Sequence, residues 1–301
     1  MVIYCKAGVT TGARCNVKDH RLRKEMAIHS FFGPWFQNQS EENLLTTFQS
    51  AEPYKHLVID DFFSDAIVNE VSHKFPAVSD VWHKYNNPIE VKYALNNIEI
   101  LPDVLKQIFD VLSSTEVISK FKSITGIHDL EYDPFLHGAG LHAYPRDGRL
   151  HMHLDYEKHP HLERERRVNL IVYLSREWKS EYGGGLEMWG SDINGTMTEC
   201  VKEVQVKFNR AVIFQTNDLS YHGLPDKLKC PNDMYRLSLA VYYVSPLTKQ
   251  KESYRQKAHF NRRPTDEVTP VMDKLYKIRQ TRLITNGDMM DIWPDWTPTS
   301  Y

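Results

Sequence analysis

The sequence predicts an α+β protein that is mainly β: an antiparallel sandwich or jelly roll, buttressed by preceding helices and followed by a helical appendage. Three observations predict it. Helical periodicity recurs between residues 64 and 126. From about 135 to 245 it gives way to short apolar, β-branched runs separated by polar turns, as in sandwiches and barrels. After Pro246 the chain turns polar and carries one last helical pattern.

Composition sets bounds on function. The chain has 301 residues, 41% of them hydrophobic, enough for a large core. Lys and Arg total 37 against 39 Asp and Glu, so no global field favours nucleic acid or an anionic membrane as partner. Cys5, Cys15, Cys200 and Cys230 form no CxxC pair, which fits neither a zinc ribbon nor a disulfide scaffold. The opening Met1-Val2-Ile3-Tyr4-Cys5-Lys6 is too short an apolar run for a signal peptide. No stretch approaches the roughly 20 apolar residues of a membrane span. The expectation is a cytoplasmic protein.

Residues 1–53 read as an N-terminal arm. Gly8-Val9-Thr10-Thr11-Gly12 is loop-like, and the basic cluster at 21–24 reads as a solvated face. The aromatic run Ser30-Phe31-Phe32-Gly33-Pro34-Trp35-Phe36 is suited to pack on the main body. The central domain is expected over 54–246, opening on a strand at 56–60. Ser64 is placed to cap a helix whose Ile67, Val68, Val71 and Phe75 share a face. Pro102 suits the first turn of a second helix, with Val104, Leu105, Ile108, Phe109 and Leu112 as its stripe. A third helix follows Ser114, uses Val117, Ile118, Phe121 and Ile124, and stops at Gly126. These stripes are core-facing patterns.

Strands are then expected near 141–144, 150–155, 168–174, 186–189 and 237–244. Residues 204–208 and 211–215 flank Asn209-Arg210, which reads as a hairpin turn. Residues 82–87 with 90–97, and 156–166, read as loops: either ordinary exposed connections or a substrate-side loop and a lid. Residues 247–301 read as an extension packed on the core. Its helix starts at Thr269-Pro270 with Val271, Met272, Leu275 and Ile278 on one face, and Ile292-Trp293-Pro294-Asp295-Trp296 is expected to dock.

The chemistry centres on Leu150-His151-Met152-His153-Leu154-Asp155, where three candidate ligands alternate along one strand face. A His and an Asp two apart supply two-thirds of the 2-His-1-carboxylate facial triad of non-haem Fe(II). An isolated HxD is weak, and the signal comes from its companions. His222, in Ser220-Tyr221-His222-Gly223-Leu224-Pro225, is the candidate for the distal ligand. Arg236 and Ser238 share one face of a strand with apolar neighbours. An Arg pointing into a barrel needs an anionic partner, because an unpaired buried charge is prohibitive. Its fork suits a carboxylate, and a free dicarboxylate would supply one.

On these residues, the region 54–245 resembles the Fe(II)- and 2-oxoglutarate-dependent dioxygenases, especially the prolyl 4-hydroxylase-like branch. The likeness includes Gly140-Leu141-His142-Ala143-Tyr144-Pro145 before the HxD, residues 167–174 ahead of Trp178, the Gly183-Gly184-Gly185 turn, and His222 with Arg236. It implies a double-stranded β-helix (jelly-roll) core. It also implies His153, Asp155 and His222 as iron ligands, and Arg236, with Ser238 beside it, on the distal carboxylate of 2-oxoglutarate. Tyr173 would place its hydroxyl on that carboxylate, and Tyr144 would line the co-substrate pocket. The fourteen positions from His222 to Arg236 are more than in animal oxygen-sensing relatives, consistent with a longer loop at 224–234. His151 is then a residue that supports a ligand from outside, faces the substrate, packs or is solvated, and His142 is read as structural.

The implied reaction consumes O2 and 2-oxoglutarate, releases succinate and CO2, and hydroxylates an aliphatic C–H, with ascorbate as an accompanying reductant. Related halogenases lack the carboxylate, so Asp155 favours hydroxylation. The implied substrate is a prolyl residue in a peptide or protein. The alternatives are a free amino acid or other small molecule, a catalytically silent metal-binding sensor, and a cupin-like metal site. The last leaves Arg236 and Ser238 unexplained.

Overall fold

The computed structural model describes residues 28–248 and 253–296. Cys5, Cys15, the 8–12 stretch, the 21–24 cluster and the last residues of the chain lie outside them. In chain order the elements are α1 (Trp35–Asn38), α2 (Glu41–Ser50), β1 (His56–Ile59), α3 (Asp65–Lys74), β2 (His83–Asn87), β3 (Glu90–Leu95), α4 (Asp103–Leu112), α5 (Thr115–Thr125), β4 (Glu131–Tyr132), β5 (Gly140–Tyr144) and β6 (Arg149–Leu154). There follow β7 (Arg164–Tyr173), β8 (Leu186–Ser191), β9 (Met197–Val204), β10 (Ala211–Gln215), β11 (Tyr221–Leu224), β12 (Arg236–Pro246), β13 (His259–Phe260), α6 (Pro270–Arg279) and α7 (Asn286–Ile292).

The strands pair antiparallel in the order β1-β10-β7-β12-β5-β3-β6-β11-β8-β9. Strands β5, β7, β10 and β12 make one half, and β6, β8, β9 and β11 the other. Apart from the β8–β9 pair, successive strands from β5 to β12 switch between the halves. This is the double-stranded β-helix, and β3 joins the halves by pairing with both β5 and β6.

The first half is buried on both faces, and this positions the site. Val168, Leu170 and Val172 of β7, Leu239, Val241 and Tyr243 of β12, and Leu141 and Ala143 of β5 pack in the core with helices α4 and α5. Their alternates Asn169, Ile171, Arg236, Ser238, Tyr242, His142 and Tyr144 face an internal cavity. Double burial explains why these strands read as near-continuous apolar runs. The helix stripes pack as expected: all five stripe residues of α4 are buried, and Phe121 of α5 stacks on Tyr243 at 4.6 Å. Ser114 caps α5 through Val117 N–H, and Gly126 ends it at φ 73°. Ser64 precedes α3, but its hydroxyl donates to the Ser30 carbonyl and caps nothing. Pro102 sits one residue outside α4. The aromatic arm is buried at Phe32, Trp35 and Phe36, with Trp35 Nε1 donating to Phe62 O at 2.7 Å.

Three local expectations are corrected. Residues 204–208 and 211–215 form no hairpin: β9 pairs with β8, whereas β10 lies between β1 and β7. Asn209 is indeed a turn residue, with φ 63°, but its amide clamps both backbone groups of Phe63, so the turn carries the chain between the two halves. Segments 82–87 and 90–97 are not loops but largely the hairpin β2–β3, and β3 is fully built into the sheet. At the C-terminal end the docking is only partial: Met289 of α7 is buried and Ile292 and Trp296 are half-buried, whereas Met290 is 75% exposed and Trp293 36%. No helix among the described residues is long and apolar enough to cross a membrane.

Candidate active site

His153 and His222 are directly opposed on β6 and β11, with ring centroids 4.4 Å apart. Asp155 follows the end of β6. One nitrogen of each ring and one oxygen of this carboxylate lie within 4.8 Å of one another, all three residues being buried. The hydrogen bonds fix the tautomers. His153 Nδ1 donates to His151 O at 2.9 Å and His222 Nδ1 to Ser220 O at 2.8 Å. Both partners are carbonyls that can only accept, so Nδ1 carries the proton in the neutral form of each ring and Nε2 is the nitrogen that can bind a metal. These nitrogens face Asp155 at 3.8 and 3.7 Å. Burial, followed by the neighbouring His222, pushes His153 down to about 3, so that ring is neutral at pH 7. Among the described residues Asp155 Oδ2 has no hydrogen-bond partner. Three ligand atoms converge in a buried space, an arrangement that fits a divalent cation.

A second set of contacts orients the carboxylate. Tyr242 O–H donates to Asp155 Oδ1 at 3.0 Å, and Arg166 Nη1 lies 3.7 Å from the same oxygen. The Arg166 guanidinium is held between the rings of Tyr156 and Tyr242, 3.5 and 3.4 Å from their centroids. It also bonds to the His137 carbonyl and the Tyr156 hydroxyl. Burial alone would raise Asp155, but its surroundings, among them the Arg166 guanidinium and the Tyr242 hydroxyl, outweigh it and hold the carboxyl below its ordinary value.

Register explains which histidine faces inward. His222 is opposite His153 but Leu224 is opposite Leu150, so three steps on β6 match two on β11. This bulge breaks the alternation predicted for 151, 153 and 155. His151 turns from the cavity, and its Nδ1 meets Tyr276 O–H of α6 at 2.9 Å. A Cβ on Gly223, at the same irregularity, would lie 2.8 Å from Leu150 O.

The cavity has a volume of about 490 Å³. Arg236 lies in its wall, 2% exposed, with Nε donating to Gly184 O at 2.7 Å. Its guanidinium lies 5.2 Å from the Tyr144 ring and 4.8 Å from the Tyr173 ring. Among the described residues it has no salt-bridge partner. Ser238 and Tyr144 also line the cavity, as does His142. Tyr173 does not line it: the side chain packs behind Arg236 with Leu186, Met188 and Phe214.

The substrate-side alternative for 82–87 with 90–97 agrees with the cavity lining, but other parts of the wall were missed. Tyr85, Glu90 and Lys92 come from the β2–β3 hairpin, Arg166 from β7, and Ala258, Phe260 and Arg279 from the C-terminal extension. Phe260 pairs with His153 across β13 and stacks on its ring at 5.1 Å. Strand alternation could have found Tyr242, which shares a face with Arg236 and Ser238. Arg166 has the parity of core-facing Val168 and reaches the cavity only because the register shifts between Tyr243 and Val244, so alternation alone points it to the core. No local signal marked Arg279.

Residues 139–244 match the family model of the 2OG-Fe(II) oxygenase superfamily. The chain is similar to prolyl 3-hydroxylase OGFOD1 of Xenopus laevis, 33% identical over 81 residues, which are 26% of this chain and 15% of that protein. The mouse OGFOD1 is 26% identical over 89 residues, 30% of this chain and 16% of the relative. The matches thus span about a sixth of the length of these curated relatives. Among solved structures, a Pseudomonas putida prolyl-4-hydroxylase aligns with TM-score 0.46 at 15% identity, over 66% of this chain and 97% of that one. A Trichoplax adhaerens prolyl hydroxylase, solved with a hypoxia inducible factor peptide fragment, aligns with TM-score 0.45 at 14% identity, over 77% and 94%.

Proposed function

We propose that this protein is an Fe(II)- and 2-oxoglutarate-dependent dioxygenase that hydroxylates an aliphatic C–H, with a prolyl residue of a peptide or protein as substrate. The observation that carries the reading is the pairing of two features in one cavity. Three buried ligand groups converge at His153, Asp155 and His222, and a buried Arg236 stands in the same wall with no salt-bridge partner among the described residues. The superfamily match of residues 139–244 supports the reaction class, and the similarity to OGFOD1 supports prolyl as the substrate group.

In this reading His153 Nε2, His222 Nε2 and Asp155 hold the metal. Bound Fe(II), with 2-oxoglutarate and O2, supplies the oxidation that yields succinate, CO2 and a hydroxylated substrate. Arg236 takes the distal carboxylate of the oxo acid through the N–H groups that Gly184 does not use, with Ser238 beside it. Tyr144 forms the wall of that pocket, and Tyr173 supports Arg236 from behind. Tyr242 and Arg166 hold Asp155 Oδ1 and leave Oδ2 for the metal. Phe260 and Phe214, against the two histidine rings, exclude water from that side.

The test is anaerobic addition of Fe(II) and 2-oxoglutarate, followed by aerobic incubation with proline-containing peptides. A weak visible charge-transfer band, 2-oxoglutarate-dependent succinate and a peptide mass gain of one oxygen atom are expected. Asp155→Ala should abolish the last two, and Arg236→Gln should weaken 2-oxoglutarate binding about tenfold or more, since a hydrogen-bonded charge pair is lost. Turnover unchanged in Asp155→Ala would overturn the assignment.

A further inference from the structure

Strand β3 places a second cationic group in the cavity that the proposed chemistry does not use. Glu90 is 2% exposed and Lys92 8%. Two cations close on the single Glu90 carboxylate: Lys92 Nζ at 3.2 Å and Arg279 Nε, from α6, at 3.3 Å. One carboxylate cannot neutralise both, so the group keeps a net positive charge in a largely desolvated wall, which is costly unless a guest supplies the anion. The Lys92 ammonium has three donors. One points to Glu90, and no other acceptor for it occurs among the described residues. The ammonium stands 5.1 Å from the Tyr85 ring centroid and 6.0 Å from that of Tyr144. Arg236 lies 5.2 Å from the same Tyr144 ring. Tyr144 is therefore bordered by two cations, Arg236 from β12 and Lys92 from β3.

We propose that Lys92, backed by Glu90 and Arg279, is a second anion subsite that binds a carboxylate of the primary substrate. The inference rests on the dioxygenase reading, in which Arg236 is occupied by the co-substrate. Glu90 sets the position of Lys92, since its carboxylate anchors the ammonium at one of three donors and leaves the others for a ligand. Burial works against the ammonium, but Tyr144, Glu90 and Tyr85 outweigh it and hold Lys92 above its ordinary range, so it stays charged at any working pH. Two sources present the same chemistry: the side chain of an acidic residue beside the hydroxylated position in a peptide, or the free α-carboxylate of an amino acid.

The experiment uses the full chain with Mn(II) in place of iron, by titration calorimetry without O2. First, 2-oxoglutarate is titrated into wild type, Lys92→Met, Lys92→Arg and Arg236→Gln. Binding to wild type that is lost in Arg236→Gln and kept in Lys92→Met is expected. No binding to wild type would sink the dioxygenase reading, and this inference with it, before any substrate probe is added. Equal losses in Lys92→Met and Arg236→Gln would assign Lys92 to the co-substrate and overturn the second subsite. Next, proline-centred peptides with Glu or Gln at each flanking position are titrated into the Mn(II)–2-oxoglutarate complex, along with L-proline and L-prolinamide. The wild type is expected to prefer at least one carboxylate probe to its amide by about tenfold or more. Lys92→Met should remove that ratio and Lys92→Arg should retain it. A preference among the peptides identifies an acidic neighbour, and one for L-proline identifies a free amino acid. Equal binding of every acid and its amide, or a ratio that survives Lys92→Met, refutes the subsite.

Discussion

Replacing Tyr242 by Phe removes a single oxygen from the cavity wall and tests how Asp155 is aimed. The phenol donates to Asp155 Oδ1 at 3.0 Å, and Arg166 approaches the same oxygen at 3.7 Å. Phe keeps the ring that covers the Arg166 guanidinium at 3.4 Å, so the stack survives. A hydrogen bond to a charged group contributes about 1.5–3 kcal/mol. Arg166 stays near Oδ1, so the loss falls toward the lower end of that range. A loss of about 1.4 kcal/mol is tenfold in affinity, and losing an outer-shell partner typically costs roughly 10- to 100-fold in metal affinity. Mn(II) binding to Tyr242→Phe, measured by calorimetry without O2, should therefore weaken about tenfold to thirtyfold. The melting temperature of the metal-free variant serves as the control for folding. Unchanged metal affinity in a folded variant would refute both the orienting role of Tyr242 and the reading of Asp155 Oδ2 as the atom left for metal.

Two further outcomes are expected. Gly140 starts β5 at φ 91°, and a Cβ there would lie 2.4 Å from Leu95 O of β3. Gly140→Ala combines left-handed strain with a backbone clash and should destabilise the fold by roughly 2–5 kcal/mol, read by chemical denaturation; a change under about 1 kcal/mol would show that β3 and β5 separate easily. His137 is pushed down to about 4 by burial, then by Arg166 and the neighbouring His159 and His161. The unfolded ring titrates near about 6.5, so on acidification the unfolded state takes up the proton first. Stability attached to this ring is present above about pH 6.5 and is lost as pH falls towards 4. His137→Asn should melt with a shallower pH dependence than wild type across that window, and parallel curves would refute it.

Much of the site was legible because it rests on local pattern. The HxD spacing, His222 after an apolar strand, and Arg236 alternating with Ser238 inside an apolar run each follow from strand periodicity and the cost of burying charge. The five-residue stripe of α4 and the cap and stop of α5 were legible for the same reason, since one helix face and its termini are short-range properties. The failures are equally specific. Residues 82–97 looked like loops because β2 is partly exposed and β3 carries Glu90 and Lys92, polar residues whose burial depends on Arg279 almost two hundred positions away. The Asn209-Arg210 turn was recognised, but a turn says nothing about which strands lie beside it.

By itself the sequence determined the class of fold, the three residues that converge at the centre of the cavity, and the arginine that asks for an acid. Tertiary structure decided where His151 points, because a one-residue bulge opposite Gly223 resets the strand alternation and turns that ring toward Tyr276. It also decided the wall. Arg166 and Tyr242 meet at Asp155 because β7 and β12 are neighbours in the sheet, and Lys92 and Arg279 converge on Glu90 because α6 reaches the face of β3 that lines the cavity. Such partners are set by long-range strand order, and no periodicity in a single strand encodes it.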